Sequence, residues 1–332
     1  MKILISGYYG YGNLGDEALL QGLCSGLHAQ GHQLTLLSSN PAASRALHAA
    51  HSHNAVHRYR ALLPALLRHE VLISGGGGLL QDKTSRRSLR YYLGVIRLAK
   101  WLGKRVIVYG QSVGPLSPWG RQQVASALQG VAVAVRDQAS QRLLASLGIK
   151  SALCADSALL LPAPIRTGSR AERERVLLVP RGGYPDITDA LCSLAQRLHE
   201  AHIPLAAVAL QPQIDADAIA ALQQAVPSLT EIPADNLESL LREFAASRHV
   251  ISVRLHGLIL AAVARCTFSG VVYDPKVAAF LADAGLPAYH LPLDYESLSN
   301  EIFHPVYAQE KIALLKTRAQ QGLLWLEQQL QA

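Results

Sequence analysis

The sequence predicts an α/β protein of two doubly wound, Rossmann-like domains facing a cleft. Three observations lead there. Short apolar runs alternate with segments of helical periodicity along most of the chain, the pattern of parallel sheets with helical crossovers. A stretch rich in Pro, Gly and polar residues, 162–169, interrupts that alternation near the middle and reads as a linker. The length of 332 residues exceeds one typical core and suits two domains of about 150 residues each. The expected division is a first domain over 1–165, a second over 175–306, and a helix over 307–332 that packs back across both.

Composition narrows the function. With 50% hydrophobic and 17% charged residues the chain can bury a large core, and nothing suggests extended disorder. The net charge of +7 favours acidic partners: a phosphorylated small molecule, nucleic acid or an anionic membrane surface. Nucleic acid is not expected, because there is no long run of Lys and Arg and no zinc, RNP or basic-zipper pattern. Cys24, Cys154, Cys192 and Cys266 are scattered, without a CxxC pair or histidines at zinc spacing. Neither a disulfide framework nor a metal site is expected, and the thiols read as buried small hydrophobes. The apolar start is too short for a signal-peptide core, and no uncharged apolar run approaches the ~18 residues of a membrane span. A cytoplasmic protein is the expectation.

In the first half, residues 2–6 form a buried-type strand, and the loop from Gly7 to Glu17 opens a helix with Ala18, Leu19, Gly22, Leu23 and Leu27 on its apolar face. Gly10, Gly12 and Gly15 match the dinucleotide fingerprint. Yet the second strand, 33–37, ends on Ser38-Ser39-Asn40 with no acid for a ribose diol, leaving only Arg45 to answer a phosphorylated dinucleotide. Asp16 and Glu17 would also repel a pyrophosphate at that helix start. Asp16 reads either as a helix N-terminal charge or as a catalytic carboxylate. Residues 42–69 carry His48, His51, His53, His57 and His69 in no ligand-like spacing, and surface positions are expected for them.

Residues 70–74 form a strand that ends in four glycines, 75–78. Backbone there can approach a ligand or another segment closely, which makes Gly76 and Gly77 candidates. A helix over 88–102 and a strand over 105–109 lead into Gly110-Gln111-Ser112-Val113-Gly114-Pro115. The strand 131–135 ends on Arg136-Asp137. An Arg fork at a strand end suits bidentate binding of carboxylate or phosphate; a salt bridge to Asp137 or a cap is the alternative.

The second half repeats the alternation: strand 176–180 with Arg181-Gly182-Gly183 behind it, helix 188–202, strand 205–210, then helices over 217–225 and 237–246. Strand 249–253 follows, with Arg254 and His256 where it ends, a helix over 257–265, and strand 268–273 ending on Asp274-Pro275-Lys276. The carboxyl ends of parallel strands face the ligand crevice. Arg254, His256 and Lys276 should therefore share one rim, two cations and an imidazole beside an anion-favouring helix N-terminus. Solvated surface charges are the plainer alternative for both cations. The last helix is amphipathic through Ile312, Leu315, Ala319, Leu323, Leu326 and Leu330.

Taken together, Gly7-Tyr8-Tyr9-Gly10 with Asn13-Leu14-Gly15-Asp16-Glu17-Ala18, Ser74-Gly75-Gly76-Gly77-Gly78-Leu79-Leu80-Gln81-Asp82, Gly110-Gln111-Ser112-Val113-Gly114-Pro115, Val135-Arg136-Asp137, Ala155-Asp156 and Arg254-Leu255-His256-Gly257 resemble the polysaccharide pyruvyl transferases, most closely the bacterial cell-wall CsaB type. The resemblance covers about residues 1–290. It implies a GT-B-like architecture with an acceptor-side first domain and a donor-side second domain. It also implies transfer of the pyruvyl group of phosphoenolpyruvate onto a sugar, commonly as a 4,6-ketal on N-acetylmannosamine of a lipid-linked wall-polymer precursor, with release of phosphate.

On that resemblance His256 and Asp16 are the expected catalytic pair. His256 would act as proton donor or as phosphate ligand, and Asp16 would deprotonate or position the acceptor hydroxyl. Arg136, Arg254, Lys276, Asn13, Gly15, Gly76 and Gly77 are the expected substrate contacts. No metal or cofactor is implied, since phosphoenolpyruvate is itself the donor. The lipid-linked acceptor implies peripheral contact with the inner membrane leaflet, where basic surface helps. The rivals are a GT-B glycosyltransferase using a nucleotide sugar, for which Glu231 and Glu238 make a poor ribose-gripping pair, and a non-catalytic polymer-binding protein of the same fold. An NADP oxidoreductase ranks lower, for want of a catalytic pattern in the second domain.

Overall fold

The computed structural model describes residues 1–52, 54–83, 85–165, 173–305 and 308–332. Of the expected linker, residues 166–169 lie outside the described residues, as do His53 and Tyr307, the expected first residue of the closing helix. Two compact units emerge. One comprises Met1–Tyr11, Asp16–Leu160 and Lys316–Ala332; the other comprises Gly12–Gly15 and Leu161–Leu315.

The first unit is built on seven strands: β1 (Lys2–Ser6), β2 (Gln33–Ser38), β3 (Asn54–His57), β4 (Val71–Leu80), β5 (Arg105–Val113), β6 (Ala132–Val135) and β7 (Ala152–Leu153). All pairings are parallel, in the order β3-β2-β1-β4-β5-β6-β7. The strand order therefore reverses between β1 and β4, the switch point at which open α/β sheets bind ligands. Its helices are α1 (Leu14–Ala29, whose first two residues count with the other unit), α2 (Pro41–Leu47), α3 (Leu62–Arg68), α4 (Arg86–Trp101), α5 (Pro118–Leu128) and α6 (Gln138–Ser146). One core joins Leu66, Leu89, Leu93, Val124 and Leu144 to Leu72 and Val108 of the sheet. A second core joins Leu20, Leu23 and Leu27 to Ile3, Ile5 and Leu34. The central strands are thus covered on both sides, which is why β1 is a continuous apolar run.

Several boundaries differ from the sequence expectation. The glycines 75–78 lie inside β4, not beyond it, and β5 likewise runs on to Val113. The two strands keep pairing past the glycines through a register shift between Gly77 and Leu80. The histidine-bearing segment is ordered as α2, β3 and α3, and it is not uniformly surface: His48 is buried and its Nε2 lies 2.7 Å from Glu17 Oε2. α5 has no counterpart in the sequence reading. Ser117 caps it by accepting from the Gly120 amide at 3.2 Å.

The second unit has six parallel strands, β8 (Val176–Val179), β9 (Leu205–Ala207), β10 (Thr230–Glu231), β11 (His249–Ser252), β12 (Thr267–Val271) and β13 (Ala288–Tyr289), in the order β10-β9-β8-β11-β12-β13. The same reversal recurs between β8 and β11. Between the strands run α7 (Pro185–Glu200), α8 (Pro212–Ala225), α9 (Leu237–Ala246), α10 (Leu255–Val263) and α11 (Pro275–Ala284), and α12 (Tyr295–Phe303) follows β13. α10 is buried along nearly its whole length. It begins two residues earlier than expected, so His256 stands in its first turn. The last helix, α13 (Gln309–Gln331), starts in the second unit and continues in the first, where Leu326 and Leu330 complete the core against α1. Cys24, Cys154 and Cys266 are buried as expected, while Cys192 is only half-buried.

Candidate active site

At the switch point of the second sheet, β8 and β11 lie side by side, and each is followed at its carboxyl end by an arginine: Arg181 and Arg254. Between them stands Asp215 in the first turn of α8, with no solvent exposure. Its carboxylate accepts from the amides of Gln211 at 3.0 Å and Gly182 at 3.2 Å. Arg254 Nη2 donates to the same carboxylate, and Arg181 Nη1 approaches it to 3.7 Å. One buried carboxylate thus faces two guanidinium groups, and the cluster keeps a positive excess.

Arg254 is only 8% exposed, and among the described residues its Nε has no hydrogen-bond acceptor; neither do Arg181 Nε and Nη1. Buried donors without acceptors are costly. A phosphate or carboxylate supplies several acceptor oxygens to forks of this kind. Tyr273 stands beside the cluster. Burial pushes its hydroxyl pKa up, while the positive charges of Arg181 and Arg254 pull it back. Its ring meets Tyr184 edge-on at 4.9 Å between centroids.

His256, half-buried in the first turn of α10, is closely backed by glycine. A Cβ on Gly15 would stand 2.3 Å from His256 Nδ1, so only glycine fits there. The segment carrying Gly15 is fastened to this unit: Leu14 N donates to Leu210 O at 2.9 Å, and Asn13 Oδ1 accepts from Gly15 N at 3.2 Å. The structure therefore brings Asn13, Gly15, Arg254 and His256 into one unit. Lys276 follows β12, the neighbour of β11, with its amide donating to the α11 cap Asp274 at 2.9 Å.

In the first unit Asp16 lies against Gly77, whose φ of +84° is glycine's territory and whose Cβ would come within 2.9 Å of Asp16 Oδ1. Gly76 serves packing: a Cβ there would meet Leu19 Cδ2 at 1.9 Å. Arg136 is buried, donating from Nε to Ser112 Oγ at 2.8 Å and from Nη1 to Asp156. Arg136 is thus paired with Asp156 and not with Asp137, the partner expected for a salt bridge. Asp137 instead caps α6, accepting from Ser140 N at 2.7 Å, and accepts from Ser112 Oγ at 2.6 Å.

The dinucleotide reading fails on local geometry. The amide of Gly10, which a pyrophosphate would need, donates to Glu17 Oε1 at 2.8 Å. Arg45, the remaining candidate for a 2′-phosphate, donates to Ala55 O at 2.9 Å. Among the described residues no group of three or more His, Cys, Asp or Glu is arranged to hold a metal ion.

Arg181 and Asp215 were not singled out by sequence reasoning. Arg181 carried a usable signal, since it follows an apolar strand as Arg136 and Arg254 do. Asp215 carried none, because an acid in a helix's first turn is ordinary.

Two doubly wound sheets of this strand order define a two-domain α/β protein of the GT-B class. Solved structures agree. HepE from Anabaena, in complex with UDP and glucose, aligns over 100% of this chain and 99% of its own at 13% identity with a TM-score of 0.64. UDP-GlcNAc 2-epimerase from Neisseria meningitidis, bound to UDP-GlcNAc, aligns over 100% of both chains at 11% identity and a TM-score of 0.67. S. aureus MnaA with UDP covers 94% of this chain and 91% of its own at 9% identity and 0.67. Identities this low establish the fold alone. No curated protein matches the sequence. The family model for polysaccharide pyruvyl transferase matches residues 13–275. The chain belongs to that family, and it is a transferase enzyme.

Proposed function

We propose that the protein transfers the pyruvyl group of phosphoenolpyruvate to two hydroxyls of a sugar, N-acetylmannosamine as a 4,6-ketal in a lipid-linked cell-wall precursor, at the cytoplasmic face of the membrane. The observation that supports this reading best is the Arg181, Asp215 and Arg254 cluster beside His256, with buried donors that lack acceptors among the described residues. Phosphoenolpyruvate carries a phosphate and a carboxylate, and the arginines answer both.

In this mechanism His256 delivers a proton to the methylene carbon of the enol ester, turning CH2 into CH3. The first sugar hydroxyl adds to the adjacent carbon, and Asp16, the residue after Gly15, takes its proton. The second hydroxyl then adds to that carbon as the bond to the phosphate oxygen breaks, and its proton leaves with the phosphate. A proton then passes from Asp16 back to His256 through solvent and restores both groups. In sum, one hydroxyl proton replaces the one placed in the methyl group, the other leaves on phosphate, and no cofactor is consumed. Arg254, Arg181 and Lys276 neutralise the carboxylate and the departing phosphate. Arg136, paired with Asp156 in the first unit, is the remaining expected substrate contact.

The test is phosphate release from phosphoenolpyruvate with lipid- or aryl-linked N-acetylmannosamine acceptors, with mass spectrometry of the product. Coupled phosphate and a pyruvyl adduct are expected; sugar transfer from a nucleotide donor without any pyruvyl adduct would replace this reading. That second reading has one observation in its favour, the likeness to UDP-bound structures. Against it, Glu231 lies in β10 and Glu238 in α9, and the latter is paired to Arg242 one turn on.

A further inference from the structure

The positive charge of the chain is not spread evenly. Residues 58–105 contain eleven Lys or Arg against two acids, Glu70 and Asp82, so this stretch alone exceeds the net +7 of the whole sequence. Arg58 is buried among tyrosine rings, but nine of the eleven are exposed. The same stretch shows apolar side chains to solvent. Leu63 and Leu67 are 49% and 57% exposed one helical turn apart on α3, while Ala65 and Leu66 of that helix face the core. Trp101, at the end of α4, is 80% exposed.

α3 and α4 lie on one side of the first sheet and share a core through Leu66, Leu89 and Leu93. Their carboxyl-terminal ends are tied together by Lys104, whose Nζ donates to Leu67 O at 3.2 Å. Leu67 and Trp101 therefore stand at neighbouring helix ends, with Arg68, Lys100 and Lys104 close to them in sequence. Large exposed apolar side chains with Lys and Arg close by suit the boundary between anionic headgroups and acyl chains. A folded partner protein would ask for an acidic rim; a bilayer offers both chemistries at once.

We infer that the α3–α4 face of the first unit docks the enzyme on an anionic phospholipid surface, with Leu63, Leu67 and Trp101 entering the headgroup boundary. The inference deepens the proposed action on a lipid-borne acceptor. Among the described residues no helix is long and apolar enough to cross a membrane, and a surface face of this kind would bring the enzyme to such an acceptor.

The full chain is to be floated with vesicles of phosphatidylcholine alone or with about 30 mol% phosphatidylglycerol, at low and moderate salt. The expected result is salt-sensitive binding to the anionic vesicles, reduced at least tenfold in the Leu63→Ser, Leu67→Ser, Trp101→Ser variant with an unchanged melting temperature. Equal binding to both vesicle types, or a variant that binds as wild type does, overturns the inference. Brominated acyl chains give a reading that needs no triple variant: quenching of wild-type fluorescence that Trp101→Phe abolishes supports insertion, and its absence overturns it. Neither donor nor acceptor is present in these assays, so a failure of pyruvyl transfer would leave the outcome intact. In turn, turnover on a water-soluble acceptor is expected to be equal in the variant and wild type.

Discussion

Asp215 touches no substrate in the proposed mechanism, yet it sets the position of the groups that do. Its partner Arg254 lies 39 residues away in sequence and is buried beside it. Removing one member of a buried ion pair strands the other, a loss of about 3–5 kcal/mol. Arg254→Ala should therefore abolish transfer and also lower the melting temperature, whereas His256→Ala, at a half-buried position, should abolish transfer with the melting temperature near wild type. Calorimetry and phosphate release on the two purified variants check this contrast. Asp215→Asn keeps the shape but removes the charge that orients both arginines. Phosphoenolpyruvate affinity should drop about tenfold or more, read by titration calorimetry. Arg254 and His256 were legible in the sequence because a charged residue just after an apolar strand has one natural place, the ligand edge of the sheet. Asp215 was not, because what defines it is a contact between elements distant in sequence.

Among the elements, the glycine-bearing strand shows most clearly where local reading stops. Four consecutive glycines suggest a loop, and pairing with β5 overrides that tendency. Gly76 is held by the close approach of Leu19 on α1. Gly76→Ala should destabilise the first unit by about 1–3 kcal/mol through overpacking, seen as a lower denaturant midpoint. Gly15→Ala acts differently, since its methyl would strike the His256 ring. A loss of turnover larger than the loss of stability is expected there. The short elements α2, β3 and α3 escaped the sequence because four to seven residues cannot display a period.

His51, in the turn between α2 and β3, adds a pH dependence. Burial first, then the neighbouring His28 and His48, lowers its pKa. The unfolded chain takes up that proton near pH 6.5, before the folded one does. Stability should therefore fall as pH drops below about 6.5 and level off below the depressed folded value. His51→Asn should flatten that limb of a stability profile followed by thermal unfolding.

At the scale of the molecule, the alternation of strands and helices was enough to give two doubly wound sheets. It did not reveal that Gly12–Gly15 group with the second unit, because such grouping depends on which surfaces meet. The first unit takes Leu326 and Leu330 of α13 into the core over α1, and Arg105 Nη1 donates to Leu330 O on the same helix. A chain stopped after Leu315 should expose that core, bind a hydrophobic dye and lose its cooperative transition. The same arrangement sets an order of events during synthesis. Domains ordinarily fold as they leave the ribosome, the earliest first. Here the earliest strands must wait for nearly the whole chain, holding an open apolar face toward the cell until residues 316–330 emerge to close it. A chaperone that shields the nascent chain would have its longest task on the half that is made first.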